Sequence, residues 1–205
     1  MSATQVRPSE ESSGEFIPTL SRRDRLAIQR RNAKRSRWEW VIVLGAAVLI
    51  AVLLRTFVVQ TFYIPSESMV PTLQKNDRVV VNKLSYKLHD IKRHDIVVFT
   101  TPPMVNPEFK DLVKRVIGLP GDKVQGKKGR LYVNGKVQDE DYLPAGDDGT
   151  TDAFGPITVP PDTVWVMGDN RRNSEDSRVF GPIPQNTIVG RVFVRIWPPS
   201  RVDLL

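Results

Sequence analysis

Two serines stand two residues apart in Ile64-Pro65-Ser66-Glu67-Ser68-Met69-Val70-Pro71-Thr72-Leu73. Proline fixes φ and removes a backbone donor, so Pro65 and Pro71 keep this stretch out of helix and central strand. In extended chain, residues i and i+2 point the same way, so Ser66 and Ser68 aim both hydroxyls at one spot. That pattern suits acyl chemistry: one hydroxyl attacks, and the other helps to hold the oxyanion that results. A plain Pro/Ser loop leaving an apolar helix fits the same residues.

A serine hydroxyl is a weak nucleophile and needs a base. The chain has two histidines, His89 and His94. His94 precedes Asp95, but neighbours on a strand face opposite ways, so Asp95 is badly placed to orient it. We read His94 as a surface histidine at a turn and as dispensable. Lys114 is the better candidate. On a strand over 112–117, Leu112, Lys114 and Val116 share one face, while Val113, Arg115 and Ile117 share the other. Apolar neighbours disfavour the ammonium and lower a lysine's pKa, so a neutral amine could take the Ser68 proton. Arg115 is expected to reach water from the opposite side. An exposed strand lysine fits the local sequence as well.

The elements that must position these groups are legible from hydropathy. Residues 1–20 are polar and read as disordered. Residues 22–37 hold eight Lys/Arg against Asp24. Trp38 and Trp40 then lead into an uncharged apolar run, Val41 to Leu54. Extended through Arg55-Thr56-Phe57-Val58-Val59, the run reaches about 30 Å, the thickness of a bilayer core. The exit shows no small-residue cleavage pattern, which favours an uncleaved anchor over a signal peptide. The basic flank places the N-terminus in the cytoplasm and the rest outside.

After residue 77 the pattern is β. Arg78–Val81, Asp95–Thr100, Leu112–Ile117, Thr163–Met167 and Ile188–Trp197 read as strands separated by Gly/Pro turns. Leu131–Val133 and Lys136–Val137 flank Asn134-Gly135, a hairpin signal. Residues 144–156 read as a Gly/Asp/Thr-rich loop. The organisation expected is a basic tail over 1–37, an anchor over 38–59, and a mostly β domain over 60–205. That domain should carry a small hairpin insertion at 124–160.

Composition removes several classes of function. There is no cysteine, so disulfides, thiolate zinc sites and cysteine nucleophiles are absent. Two histidines nearly exclude a multi-histidine metal site. We expect no cofactor and no metal. The net charge of +7 is uneven: residues 1–37 carry +5, residues 38–55 none and residues 56–205 only +2. A nearly balanced domain argues against nucleic acid as a partner.

The serine segment resembles the nucleophile box of bacterial type I signal peptidases. Three further boxes follow in that family's order: Lys92–Phe99, Lys114–Asp122 (Lys-Arg-Val-Ile-Gly-Leu-Pro-Gly-Asp), and Gly168–Arg178 (Gly-Asp-Asn-Arg-Arg-Asn-Ser-Glu-Asp-Ser-Arg). With the anchor in front, the resemblance covers roughly residues 38 to 198. It implies a single transmembrane helix followed by an antiparallel β-sheet catalytic domain with a Ser/Lys dyad, Ser68 and Lys114. It further implies that Ser66 is an oxyanion donor, that Ser174 hydrogen-bonds the lysine amine, and that Asp176 pairs with Arg178. Phe62, Ile64, Pro65, Met69 and Val113 match or flank the family's shallow pocket, which admits small side chains and directs cleavage after Ala-X-Ala. The implied partners are preprotein signal peptides and the lipid bilayer of a plasma membrane.

Three positions depart from the pattern. Glu67 and His94 stand where glycine is common, and Arg172 stands where aspartate is frequent. If the turn at His94 needs positive φ, a non-glycine residue there is strained. Two other readings compete: a LexA-like self-cleaving Ser/Lys protein, and a catalytically inert membrane-tethered β domain that binds exported chains. The first would want a DNA-binding module, which residues 1–37 lack. The second leaves the pairing of Ser68 with Lys114 without a purpose.

Overall fold

The structure, a computed structural model, describes residues 22–23, 38–52, 58–103, 105, 109–144, 146 and 149–205. Contacts divide the chain into two compact units, residues 1–50 and 51–205. Residues 38–52 form helix α1, and its side chains are exposed throughout. Among the described residues, no helix is long and apolar enough to cross a membrane. Residues 53–57, which the expected anchor includes, lie outside the described residues, as does the tail up to residue 37 apart from the helical residues 22–23. Val59 departs from expectation, because it opens a strand instead of ending the apolar helix.

The second unit is mostly β and antiparallel, with strands β1 (Val59–Tyr63), β2 (Arg78–Asn82), β3 (Ile96–Thr100), β4 (Asp111–Gly118), β5 (Lys123–Lys127), β6 (Arg130–Val133), β7 (Lys136–Val137), β8 (Phe154–Thr158), β9 (Thr163–Met167), β10 (Ile183–Pro184), β11 (Ile188–Trp197) and β12 (Asp203–Leu204). Helix α2 is Ser85–Leu88 and helix α3 is Ser177–Phe180. The large sheet runs β1-β2-β11-β3-β4-β9-β10, with β12 on β11. A second sheet runs β7-β6-β5-β8. The expected 124–160 insertion is thus a four-stranded sheet, larger than a hairpin.

Alternation explains where the main strands lie. In β2, Val79 and Val81 are fully buried between less buried neighbours. The inner strand β3 is buried on both faces, as Ile96-Val97-Val98-Phe99 leads one to expect. Ile96 and Val98 join Ile64, Met69, Leu73, Val79, Val81 and Val192 in one core. Val97 and Phe99 face the other way, toward Val116, Val164, Val166 and Ile183. A third core lies between the sheets, where Trp165 stacks on Phe154 at 5.5 Å. Burying a side chain of that size contributes about 3 kcal/mol. The β6–β7 turn has φ of 53° at Asn134 and 77° at Gly135, the left-handed pair that a tight hairpin requires.

For the site, two features of this layout matter. β4 sits in the interior of the large sheet, between β3 and β9. Its end passes through Leu119-Pro120-Gly121-Asp122 into the small sheet, with Gly121 at φ 84° and Asp122 accepting from the Leu119 amide at 2.7 Å.

Candidate active site

The Ser66–Ser68 loop is pinned at both ends. Ile64 and Met69 are 2% and 1% exposed in the first core. The Ile64 amide donates to the Asp77 carbonyl at 3.0 Å, and the Leu73 amide donates to Met69 at 2.8 Å. Between these anchors the loop lifts its serines toward solvent, and the two Oγ atoms lie 3.2 Å apart. Both hydroxyls serve one spot, as their spacing predicts.

Lys114 approaches from β4. Its Nζ donates to Ser68 Oγ at 2.6 Å, and the residue is only 3% exposed. Leu112 and Val116, two residues to either side, both pack against the second core. Burial lowers the Lys114 pKa from 10.5 to about 8. The carboxylates of Asp176, Asp169 and Glu175 pull the other way and only partly offset it.

The third component is the turn after β9. Gly168 passes close behind Ser68: a Cβ there would collide with the Ser68 carbonyl oxygen and with Ser174 Oγ. Only glycine permits that approach. The Asn170 amide donates to the Ser68 carbonyl at 3.0 Å and its side chain to the Glu67 carbonyl at 3.2 Å. Asp176 Oδ2 accepts from the Gly168 amide at 3.0 Å. Asp176 also caps α3 and binds Arg178 through both oxygens at 2.8 Å.

Residues 37–197 match the family described as signal peptidase, peptidase S26. The chain belongs to that family. A probable signal peptidase I-2 of Synechocystis sp. is 49% identical over 161 residues, covering 78% of this chain and 72% of its own. Signal peptidase I of Leptolyngbya laminosa is 44% identical over 171 residues, covering 82% of this chain and 83% of its own. Signal peptidase I of Bacillus caldolyticus is 42% identical over 173 residues, with coverages of 79% and 90%. Membership separates the chain from the LexA-like protein and from the inert binder.

Ser174 differs from what the resemblance implies. Its Oγ is buried, but it makes no hydrogen bond and none to Lys114. Beside Ser68, Phe62, Ile64, Pro65, Met69 and Val113 gather around a depression of about 40 Å³, together with Val98 and Leu112. A wider groove of about 330 Å³ also opens on Ser66 and Ser68, lined by Glu67, Val105, Phe109, Leu112, Asn173 and Glu175. Phe109 and Leu112 lie outside the four boxes, and Val98 lies within the Lys92–Phe99 box but had no role assigned. Val98 and Leu112 reach the grooves through the pairing of β3 with β4. Among the described residues no cluster could hold a metal ion.

Arg115 corrects a second expectation. It faces away from Lys114 but does not reach water, being 7% exposed. Its Nε and Nη2 donate to the Asp169 carboxylate at 2.9 and 2.6 Å, and Thr72 donates to the same carboxylate at 2.6 Å. The far side of the strand carries a second layer, closed by the 168–178 turn. Sequence reasoning gave Thr72, Arg115, Gly168, Asp169 and Asn170 no role. The available signal was an arginine in an apolar strand together with an aspartate in a later box.

His94 has φ of 72°, the left-handed conformation in which glycine is at ease. Its Nε2 has no hydrogen-bond partner, and burial lowers its pKa. Asp95 instead accepts from the Lys92 amide at 2.9 Å and from Tyr86 at 3.0 Å. No His-Asp pair forms. Glu67 and Arg172 are both exposed.

Proposed function

We propose that this chain is a serine endopeptidase that removes signal peptides from exported preproteins after Ala-X-Ala sites, with Ser68 as nucleophile and Lys114 as base. The observation that carries this reading is the 2.6 Å contact between a nearly buried lysine amine and a serine hydroxyl at a groove. Neutral Lys114 takes the Ser68 proton as Oγ bonds to the scissile carbonyl carbon. The carbonyl oxygen becomes an oxyanion, held by the Ser66 hydroxyl and the Ser68 amide. As the C–N bond breaks, the Lys114 ammonium returns its proton to the leaving amine. Water, deprotonated by the same amine, then hydrolyses the acyl-enzyme.

Specificity follows from volume. A depression of about 40 Å³ walled by Ile64, Met69 and Val98 accepts a methyl group and excludes larger side chains. Ser174 packs against Gly168 behind the nucleophile loop, and the Asp176–Arg178 pair fixes the turn that carries it. The chain is anchored in the plasma membrane by one helix starting at Trp38, its N-terminus cytoplasmic and the catalytic domain outside. Support for this comes from the Trp38 and Trp40 pair, the apolar run that follows, and the eight basic residues at 22–37. The direct test is Ser68→Ala: preprotein processing should stop at unchanged protein level. Persistent processing would remove Ser68 from the reaction.

A further inference from the structure

The segment between β7 and β8 links strands of the small sheet, yet two of its side chains meet Arg115 of β4 and Arg171 of the turn after β9, both of the large one. The Tyr142 ring lies against the Arg115 guanidinium, with 3.9 Å between Cζ and the ring centroid. Arg115 follows Lys114 in sequence, and its edge is bound by Asp169. The Tyr142 hydroxyl donates to Glu140 Oε1 at 2.7 Å. Both Glu140 oxygens face Arg171, which is 1% exposed. Arg171 donates in turn to the Gly168 carbonyl at 3.1 Å and to Thr151 Oγ1 at 2.7 Å. One small cluster therefore touches both the residue after Lys114 and the turn that backs Ser68.

Neither Glu140 nor Tyr142 takes part in a chemical step or lines the grooves at Ser68. Burying an ion pair here costs desolvation that apolar side chains would not incur, so net stability is a poor reason for the arrangement. Geometry is a better one. A guanidinium with one face on a ring and one edge on a carboxylate has little freedom left.

We propose that Tyr142 and Glu140 are positioning residues for the cleavage reaction. Stacked on Arg115 and paired with Arg171, they hold the Lys114 strand and the Gly168–Asp169 turn at the spacing that keeps Lys114 Nζ against Ser68 Oγ. The inference rests on the Ser68/Lys114 reading given above.

Two consequences follow. Without the Tyr142 ring, Arg115 loosens and the dyad geometry blurs; misplacement by about 1 Å costs up to roughly a hundredfold in rate. The loosened side chain also lets water in beside β4 and leaves Asp169 less well neutralised. Charges that act on Lys114 are those of Asp176, Asp169 and Glu175, which favour its ammonium, and Arg178, which opposes it. Both changes favour the ammonium, so the pH at which activity rises should move upward. Substrate affinity should not change, because the groove walls are untouched.

The experiment uses the full chain in detergent micelles with a fluorogenic Ala-X-Ala peptide. It measures kcat, KM, the midpoint of the pH profile and Tm for wild type, Tyr142→Leu, Tyr142→Phe, Glu140→Gln and Lys114→Arg. Tyr142→Leu should lower kcat about tenfold, with KM within about twofold and the midpoint raised by about half a pH unit. Tyr142→Phe keeps the ring on Arg115 and should stay within about threefold of wild type. A Tyr142→Leu protein that melts lower but keeps the wild-type kcat and midpoint overturns the proposal, as does a change confined to KM. Should Tyr142→Leu fail to fold, the isosteric Glu140→Gln decides: kcat should fall at least about threefold with a raised midpoint, and wild-type values overturn the proposal. Failure of the underlying dyad looks different. There, the wild type lacks a midpoint near 8, or Lys114→Arg turns over like wild type.

Discussion

Replacing Lys114 by arginine keeps a cation on β4 and removes the ability to give up its proton. The structure sets the size of the expected effect. Burial lowers Lys114 from 10.5 to about 8, which penalises the ammonium by about 3 kcal/mol relative to the amine. With a midpoint near 8, the neutral fraction is about 1% at pH 6 and about half at pH 8, so kcat/KM should rise roughly fiftyfold across that interval. Lys114→Arg should lose at least about a hundredfold at pH 8 and show no such rise. The assay is kcat/KM on an Ala-X-Ala peptide from pH 5 to 10, since this quantity reports groups of the free enzyme. Stability has its own signature. The folded value lies below the unfolded one, so between pH 8 and 10.5 the unfolded chain binds more protons and stability rises with pH. Lys114's contribution is complete above 10.5 and lost as pH falls through 8. Below that, the native state carries the full penalty, and Lys114→Met should raise Tm at pH 7. A flat wild-type profile, or an arginine variant with the wild-type profile, refutes Lys114 as the base.

Gly168→Ala should cut kcat by more than about a hundredfold and lower Tm, because its Cβ has nowhere to go between Ser174 and the Ser68 carbonyl; steady-state kinetics and a melting curve check both, and near-normal turnover would show that the turn yields easily. His94→Gly should keep at least about a third of the activity and gain up to about 1 kcal/mol, since φ of 72° strains histidine and suits glycine. A loss beyond about a hundredfold would return a histidine base to consideration. Protease added to intact cells stripped of outer layers should digest residues 60–205 and spare 1–37, as the basic flank predicts. Protection of the C-terminal part would reverse the orientation.

Alternation made the inner strands legible. In β2, β3, β4, β9 and β11, β-branched and aromatic residues are dense and the turns between them carry Gly, Pro or Asp. β1 was hidden because Val59-Gln60-Thr61-Phe62-Tyr63 follows directly on an apolar run and shows no clean apolar–polar alternation of its own. β5 was hidden for the opposite reason. Lys123-Val124-Gln125-Gly126-Lys127 has a single apolar side chain, Val124, and Gly126 sits where any Cβ would meet the Asp152 carbonyl oxygen. Its strand character comes from its neighbours β6 and β8, through pairings such as Val124 with Val133 and with Ile157.

The site divides in the same way. Ser68 and Lys114 were legible as candidates because nucleophile and base are constrained by residue type and a strand's two-residue period fixes which neighbours Lys114 keeps. A plain loop serine and an exposed strand lysine fit the same local sequence, however, and only the resemblance across four ordered boxes chose between them. That period also says which face Arg115 takes, but it is silent on what covers the face. Water and a buried layer are indistinguishable from within one strand, so Arg115 read as a solvent-facing cation. Asp169 lies 54 positions further along, and only the antiparallel pairing of β4 with β9 brings the turn after β9 onto that face. The partner of Arg115 is therefore a product of sheet order and not of local sequence. The same holds for Tyr142, which reaches Arg115 because the chain leaves β4 through Gly121 into the small sheet and returns over it. The candidate nucleophile and base could be named from local sequence, while the layer of contacts around them exists only once both sheets have formed.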